Sequence, residues 1–360
     1  MSFSFKNFIS LLNVAIQNQA RDIHLRQDEE PCLRIKNELV PIQTRPLTEE
    51  DMQDVIKILL TKEKAQELFQ KFELDGSIGI EGLCRVRYNI YRSMGHFSVI
   101  LRIIKFNIPT LKELNLSSVI ESIALAKKGL IIITGVTGSG KSTTLAGMLD
   151  FINHHQNSHI ITIEDPIEYV YQSKKSRFSQ REVGTDTSDF ASGLRAALRQ
   201  DPDVIAIGEI RDTETISTAL KAAETGHIVF STMHTTDSMT TIGRILSMFP
   251  ANEQEEVRKR LAYNLHATIG QRMLLGKMGQ SIVAQEIMIS TAGIRDCILG
   301  KDDLSRIPGL ISQGMGKAIN GGQTFDQHIM QLLEKGIISK DVAFEAASSQ
   351  SDFTQKLFVD

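Results

Sequence analysis

The stretch Gly135-Val136-Thr137-Gly138-Ser139-Gly140-Lys141-Ser142 fits G-x-x-x-x-G-K-[ST] at every fixed position, and nothing else in the chain constrains its fold as tightly. A loop of this kind works only between a buried strand and a helix. Its glycines let backbone N–H groups turn inward around phosphate oxygens without Cβ clashes. Lys141 brings a compact positive charge to the β- and γ-phosphates, and the Ser142 hydroxyl is a ligand for Mg2+. Both flanks are of the required type. Leu130-Ile-Ile-Ile-Thr134 reads as a buried strand, and 142–152 as a helix with Leu145, Met148, Leu149 and Ile152 on one face. Such a helix points its positive end at the phosphates. ATP and Mg2+ are the expected ligands, with Gly135 to Thr143 as the binding segment.

Downstream, strands and helices alternate. Ile160–Ile163, Val204–Ile207 and Ile228–Ser231 read as strands. Phe190, Leu194, Ala197 and Leu198 mark one helix, and 213–223 another. This alternation predicts a mostly parallel sheet flanked by helices. After Pro250 the chain reads as mainly helical, with a stripe of Phe325, Ile329, Leu332 and Leu333 that stops at Gly336.

Upstream, the first hundred residues read as α+β. Phe8, Leu11, Leu12 and Ala15 recur at helical spacing, and Thr48 is placed to cap a helix bearing Met52, Val55, Ile56, Leu59 and Leu60. Residues 85–91 and 97–104 are rich in β-branched and aromatic side chains, so a hairpin is expected about Ser93-Met-Gly95. The segment 105–116, with Pro109, reads as a connector. A chain of 360 residues can build two cores, and the expected division is 1–112 and 113–360.

Ligands in open α/β sheets bind beyond strand ends, and three clusters fall there. Glu164, in Ile163-Glu-Asp-Pro-Ile-Glu168, is placed to orient or deprotonate an attacking water, and Pro166 ends the strand. Asp203-Val-Ile-Ala-Ile-Gly-Glu209 leads apolar residues to Glu209, a candidate Mg2+ ligand, although Gly208 stands where most P-loop enzymes have aspartate. His227 and His234 flank the strand 228–231 and are candidates for sensing a γ-phosphate. Arginine charge stabilises phosphoryl transfer, and Arg211, Arg85, Arg87 and Arg102 are candidates, the hairpin pair Arg85 and Arg87 sharing one strand face. Taken singly, an acidic turn, a histidine at a strand end or a strand arginine is as readily structural.

Composition bounds the partners. A net charge of −3 provides no global basic field for nucleic acid, and no aromatic–basic strand is present to stack single strands. Cys32, Cys84 and Cys297 are far apart, with neither zinc nor redox spacing, as in a reduced, cytoplasmic chain. The N-terminus lacks the apolar core of a signal peptide, and no apolar run is long enough to span a bilayer.

Together, GVTGSGKSTT, IEDPIEYV, Gln180–Gly184, LRQDPDVIAIGEIRD and AAETGHIVFSTMHTTD resemble the Walker A, Asp box, connecting, Walker B and His box elements of type II/type IV secretion ATPases. The likeness runs in order from about Phe8 to Phe344 and is nearest to the PilT-like pilus-retraction branch. Its Walker B ends in Gly-Glu, so Gly208 fits the family form. The resemblance implies a PAS-like N-terminal domain, a RecA-like P-loop ATPase domain with a helical C-terminal part, and a homohexameric ring. It implies that Lys141 and Ser142 bind phosphate and Mg2+, that Glu164 is the catalytic base, and that Glu209 serves the metal. His234, with His227, would read the γ-phosphate, and Arg87 and Arg102 would face the nucleotide. The implied partners are an inner-membrane pilus platform protein (PilC-like) and a paralogous retraction ATPase, at the cytoplasmic face of the membrane. Arg21-Asp-Ile-His-Leu25 is similar to the family's N-terminal "SDLH" element, with Arg21 in place of the small residue.

Assembly and secretion members usually carry a long extra N-terminal domain and a tetracysteine zinc module, and this chain has neither. In the other direction, the retraction branch has a C-terminal Ala-Ile-Arg-Asn-Leu-Ile element, whereas this chain reads Gly293-Ile-Arg-Asp-Cys-Ile298. A retraction motor is expected. A PilU-like accessory retraction ATPase and an assembly or secretion motor stand as alternatives, and a nucleotide switch or a DNA motor is disfavoured.

Overall fold

The computed structural model describes residues 3–36, 38–104, 108–314, 321–350 and 353. The start of the expected connector, 105–107, lies outside them. The chain packs as two compact units, 1–107 with 166–170, and 108–165 with 171–360.

The first unit begins with helix α1 (Phe5–Gln17), which Ser4 and Asn7 cap reciprocally and which buries Phe8, Leu11, Leu12 and Ala15. Strands β1 (Asp22–Arg26), β2 (Cys32–Ile35) and β3 (Glu38–Pro41) follow, then helices α2 (Glu49–Leu59) and α3 (Lys62–Lys71). Strands β4 (Glu73–Ile80), β5 (Cys84–Ser93) and β6 (His96–Ile104) complete an antiparallel sheet of order β3-β2-β1-β6-β5-β4. The expected hairpin forms between β5 and β6. Ser93 pairs with His96, so the turn is Met94-Gly95, and both residues have positive φ, 51° and 90°, as a tight primed turn requires. Alternation along β5 sends Cys84, Val86, Tyr88 and Ile90 into the core and Arg85 and Arg87 to the other face. Burial pushes the Cys84 thiol up to about 11, which keeps it protonated and unreactive at neutral pH.

Thr48 does cap α2, and Asp51 closes the box. The Asp51 carboxylate is buried and receives two bonds from Arg45, at 2.6 and 2.9 Å, and two from Thr48, each at 2.8 Å. The Arg45 guanidinium is the largest influence holding the Asp51 carboxyl far below its ordinary range. A depressed folded-state pKa adds stability that is complete above the unfolded value of 3.8 and is lost as pH falls through the folded value. Thermal melts of the wild type are therefore expected to decline below about pH 4 more steeply than those of Asp51→Asn. Parallel declines would show that Asp51 is not the titrating group.

The second unit starts with helix α4 (Val119–Ala124) and strand β7 (Gly129–Thr134), whose six residues are all buried. Then come α5 (Lys141–His155), β8 (His159–Glu164), β9 (Arg177–Glu182), α6 (Phe190–Ala197), β10 (Val204–Ile207), α7 (Thr213–Glu224), β11 (Ile228–Met233), α8 (Ser238–Ser247) and α9 (Gln254–Asn264). The sheet order is β13-β12-β7-β11-β10-β8-β9, where β12 is Leu265–Leu275 and β13 is Ser281–Ile289. Every pairing is parallel except β12 with β13. Among the described residues, four more α-helices follow: α10 (Ala292–Leu299), α11 (Ile307–Ser312), α12 (Phe325–Glu334) and α13 (Lys340–Ala346). Helix α12 ends at Glu334 with Lys335 as its C-cap, and Gly336 takes positive φ (67°) just beyond it.

One expectation needs correction. The chain after Pro250 is not mainly helical throughout, because β12 and β13 form a long hairpin that extends the sheet beside β7. Their centres are buried on both faces, so neither strand shows a plain alternation of polar and apolar residues.

Candidate functional site

The ends of the parallel strands fall within about two residues of one another in register. Thr134 of β7 pairs with Met233 of β11, Ile207 of β10 with Ser231 of β11, and Ile163 of β8 with Ile207. All four carboxyl ends therefore share one edge of the sheet. The loop 135–140 leaves β7 at that edge, His234 follows β11, Gly208-Glu209 follows β10, and Glu164 ends β8. Neighbouring strands lie about 4.8 Å apart, so this row extends about 14 Å from β7.

The loop is shaped by its glycines. Gly135 has φ 149°, and a Cβ there would lie 2.4 Å from Ser139 Oγ and 2.5 Å from the Gln271 carbonyl oxygen, so no other residue fits. Gly140, at φ 90°, is the N-cap of α5, and no side chain caps this helix among the described residues. The first-turn N–H groups are left for an outside acceptor. Lys141 is buried, and its Nζ donates to the carbonyl oxygens of Gly135 (2.8 Å) and Val136 (3.1 Å). Val136, Thr137 and Gly138 form the exposed crest, Ser142 is exposed, and Thr143 is half-buried. The Ser139 hydroxyl is buried with no hydrogen-bond partner among the described residues. An uncapped helix start, an orphaned hydroxyl and an amine folded into the loop fit a phosphate chain.

Glu164 is half-buried, and its Oε1 accepts from Thr162 Oγ1 (2.6 Å) and Gln180 Nε2 (3.2 Å). Those bonds fix the direction of the carboxylate. Glu209 is mostly buried, with its side chain 13% exposed, and it pairs with Arg211 and with His234 Nε2 at 3.2 Å. Gly208 leaves room that a side chain would take. A Cβ would stand 3.3 Å from the Phe190 ring and 3.4 Å from the Ile163 carbonyl oxygen. The Ser142 hydroxyl and the Glu209 carboxylate are oxygen donors of the kind Mg2+ takes, two protein ligands alongside phosphate oxygens and water.

His227 does not join this group. It precedes β11, with six strand residues between it and His234, so it sits about 20 Å away at the opposite edge of the sheet. Its Nδ1 lies 3.0 Å from the Ala222 carbonyl oxygen and 3.1 Å from Thr225 Oγ1. Arg211 stands beside Glu209 as a charge partner. In the first unit, Arg102 pairs across the strands with both Arg87 and Asp22, and its Nε donates to Asp22 Oδ1 at 2.7 Å. Arg85 donates to Ser77 Oγ at 2.6 Å.

Several contributors are not among the candidate site residues. Gln180 aims Glu164, and Gln271 on β12 donates to Thr144 Oγ1 of α5 at 2.7 Å, bracing the helix that bears the loop. Thr134 Oγ1 donates to the Thr235 carbonyl oxygen at 2.6 Å, tying the end of β7 to the loop after His234. In sequence, the only sign of Gln180 is its place within the connecting segment 180–184.

A parallel sheet with this loop on one strand and acidic and imidazole groups on the next three strand ends is a P-loop nucleotide-binding domain. The family profile described as Type II/IV secretion system protein matches residues 5–298, and the chain belongs to that family. It is 38% identical over 343 residues to the type IV pilus retraction ATPase PilT of Pseudomonas aeruginosa, covering 95% of this chain and 98% of that one. To the type IV pilus ATPase PilU of the same organism it is 33% identical, covering 96% and 90%. Among solved structures, the pilus retraction motor PilT with bound ADP superposes with a TM-score of 0.89 at 40% identity, covering 96% of this chain and 98% of that one.

Proposed function

We propose that the chain is the ATP-hydrolysing subunit of a homohexameric motor that powers type IV pilus retraction. The phosphate-shaped edge of the second unit carries the ATPase part of this reading. The near full-length likeness to PilT supports the retraction part.

The triphosphate lies along the loop, held by the α5 N-terminus and by Lys141, which exchanges its two loop carbonyls for phosphate oxygens. Glu164 takes a proton from the attacking water, and the bonds that Thr162 and Gln180 donate to Oε1 hold the carboxylate in place. His234 follows β11, the strand beside the one that leads into the loop, and donates to the γ-phosphate. Ser142 and Glu209 would hold Mg2+, which would supply positive charge against the phosphate oxygens. By the family resemblance, Arg87 and Arg102 are the candidates for the positive charge that the transition state calls for. Closure and release of the ring with each ATP would turn a PilC-like platform protein at the cytoplasmic face of the inner membrane. No described helix is long and apolar enough to cross a membrane.

A second reading, a PilU-like accessory retraction ATPase, rests on the departure at 293–298. Of the retained residues there, Ile294 and Ile298 are buried in the core, and only Arg295 is exposed. Two of the three retained positions therefore serve packing. An assembly or secretion motor is disfavoured, since a chain with three cysteines cannot form a tetracysteine zinc module. Deleting the gene in its host is expected to leave excess surface pili that do not retract. Loss of surface pili would overturn retraction in favour of assembly, and unchanged retraction would move the chain to the accessory role.

A further inference from the structure

The β12–β13 hairpin carries a buried carboxylate that the proposed chemistry does not use. Glu286, on β13, stands opposite Gly270 of β12 and is only 6% exposed. Its Oε1 accepts from the Ser238 backbone N–H at 2.8 Å and from Ser238 Oγ at 2.7 Å. Thr268 Oγ1, on β12, donates to the same serine hydroxyl at 2.6 Å. Ser238 is the first residue of α8, and the segment ahead of it, 234–237, is the turn that carries His234. We propose that Glu286 is a positioning residue for ATP hydrolysis, holding the His234 turn against the phosphate loop through Ser238.

The turn is pinned at two ends. At one, Thr134 Oγ1, one residue before the phosphate loop, donates to the Thr235 carbonyl oxygen at 2.6 Å. At the other, Glu286 holds Ser238. Between the pins, the turn is bonded to α8 itself: Thr235 and Thr241 share a hydroxyl bond of 2.6 Å, and Asp237 caps the helix through the Thr240 N–H. The His234 ring is half exposed and has Glu209 as its contact at the edge. Its position is therefore set by the backbone under it, and that backbone is set by the two pins. The same hairpin steadies the other side of the site, where Gln271 holds Thr144 of α5. One hairpin thus braces both the helix that bears the loop and the turn that bears His234.

Burying a carboxylate is costly, and in packing terms alone an apolar side chain would be a cheaper occupant of this position. Burial pushes the Glu286 carboxyl up, and the two Ser238 donors pull it back. The positive end of α8 further favours a negative group at this place.

The proposal rests on the ATPase reading, so the wild type is measured first, and absence of ATP turnover there would sink that reading rather than this one. In Glu286→Ala, kcat is expected to fall at least about tenfold while KM and ADP affinity stay within about twofold, the pattern of a displaced catalytic turn beside an intact loop. Glu286→Gln keeps an acceptor oxygen at the same place and is expected to recover kcat to within about threefold of wild type. A Glu286→Ala protein that binds ADP and turns over ATP at the wild-type rate would overturn the proposal. If Glu286→Ala does not fold, Ser238→Ala decides. It removes only the hydroxyl, and its kcat is expected to drop about threefold or more with ADP affinity unchanged. Wild-type kcat in Ser238→Ala, or a fall in ADP affinity that matches the fall in kcat, would show that the contact serves packing alone.

Discussion

Glu164→Gln is expected to bind ATP within about threefold of wild type and to turn it over at least about a hundredfold more slowly, because a positioned general base contributes 10²–10⁴-fold. The substitution is nearly isosteric. A glutamine oxygen still accepts from Thr162 Oγ1 and Gln180 Nε2, now at 2.6 and 3.2 Å from Glu164, so the side chain stays aimed. What it loses is the ability to take a proton. Binding should be spared, since Glu164 belongs to β8, with β10 and β11 between it and the phosphate loop. Steady-state hydrolysis and titration with labelled ATP read the two effects separately. Turnover within a few fold of wild type would remove Glu164 from the chemistry. A loss of binding as large as the loss of turnover would instead mark it as part of the frame.

Much of this site is legible in the sequence because it is local. The loop 135–142, the buried strand before it and the helix after it are consecutive, and each needs only its neighbours to be recognised. The same holds for the Thr48 cap and for the hairpin turn at Met94-Gly95. What escapes is decided by distant partners. β12 pairs with β7, whose residues lie some 135 positions earlier, and β13 pairs only with β12 within the sheet. Gln271, Gln285 and Glu286 are polar residues in the buried centres of those strands, so the pattern that normally marks a strand face is inverted there. A reader who expects buried positions to be apolar takes this region for helix surface. His227 shows the opposite failure. Its motif is local and easily seen, but the direction of β11 sends it to the far edge, a consequence of the six strand residues that separate it from His234.

Lys141→Ala should abolish ATP hydrolysis and weaken ATP binding by about 10- to 150-fold, since a hydrogen bond to a charged group contributes about 1.5–3 kcal/mol. The structure adds a reason beyond lost charge. Lys141 is 8% exposed, and its ammonium is held by the carbonyl oxygens of Gly135 and Val136. The amine thus ties the loop to itself, and the substitution removes both that tie and the phosphate's partner. Lys141→Arg is not expected to rescue binding. A planar guanidinium is larger than an ammonium and cannot occupy the same buried point between two carbonyls. Calorimetric titration with ATP and with ADP distinguishes the contributions. If the γ-phosphate is the main contact, the ATP loss exceeds the ADP loss, whereas equal losses mean that the loop itself has opened. Wild-type affinity for both nucleotides in Lys141→Ala would mean that the phosphates lodge elsewhere, and the assignment of Glu164, Glu209 and His234 would lose its reference point.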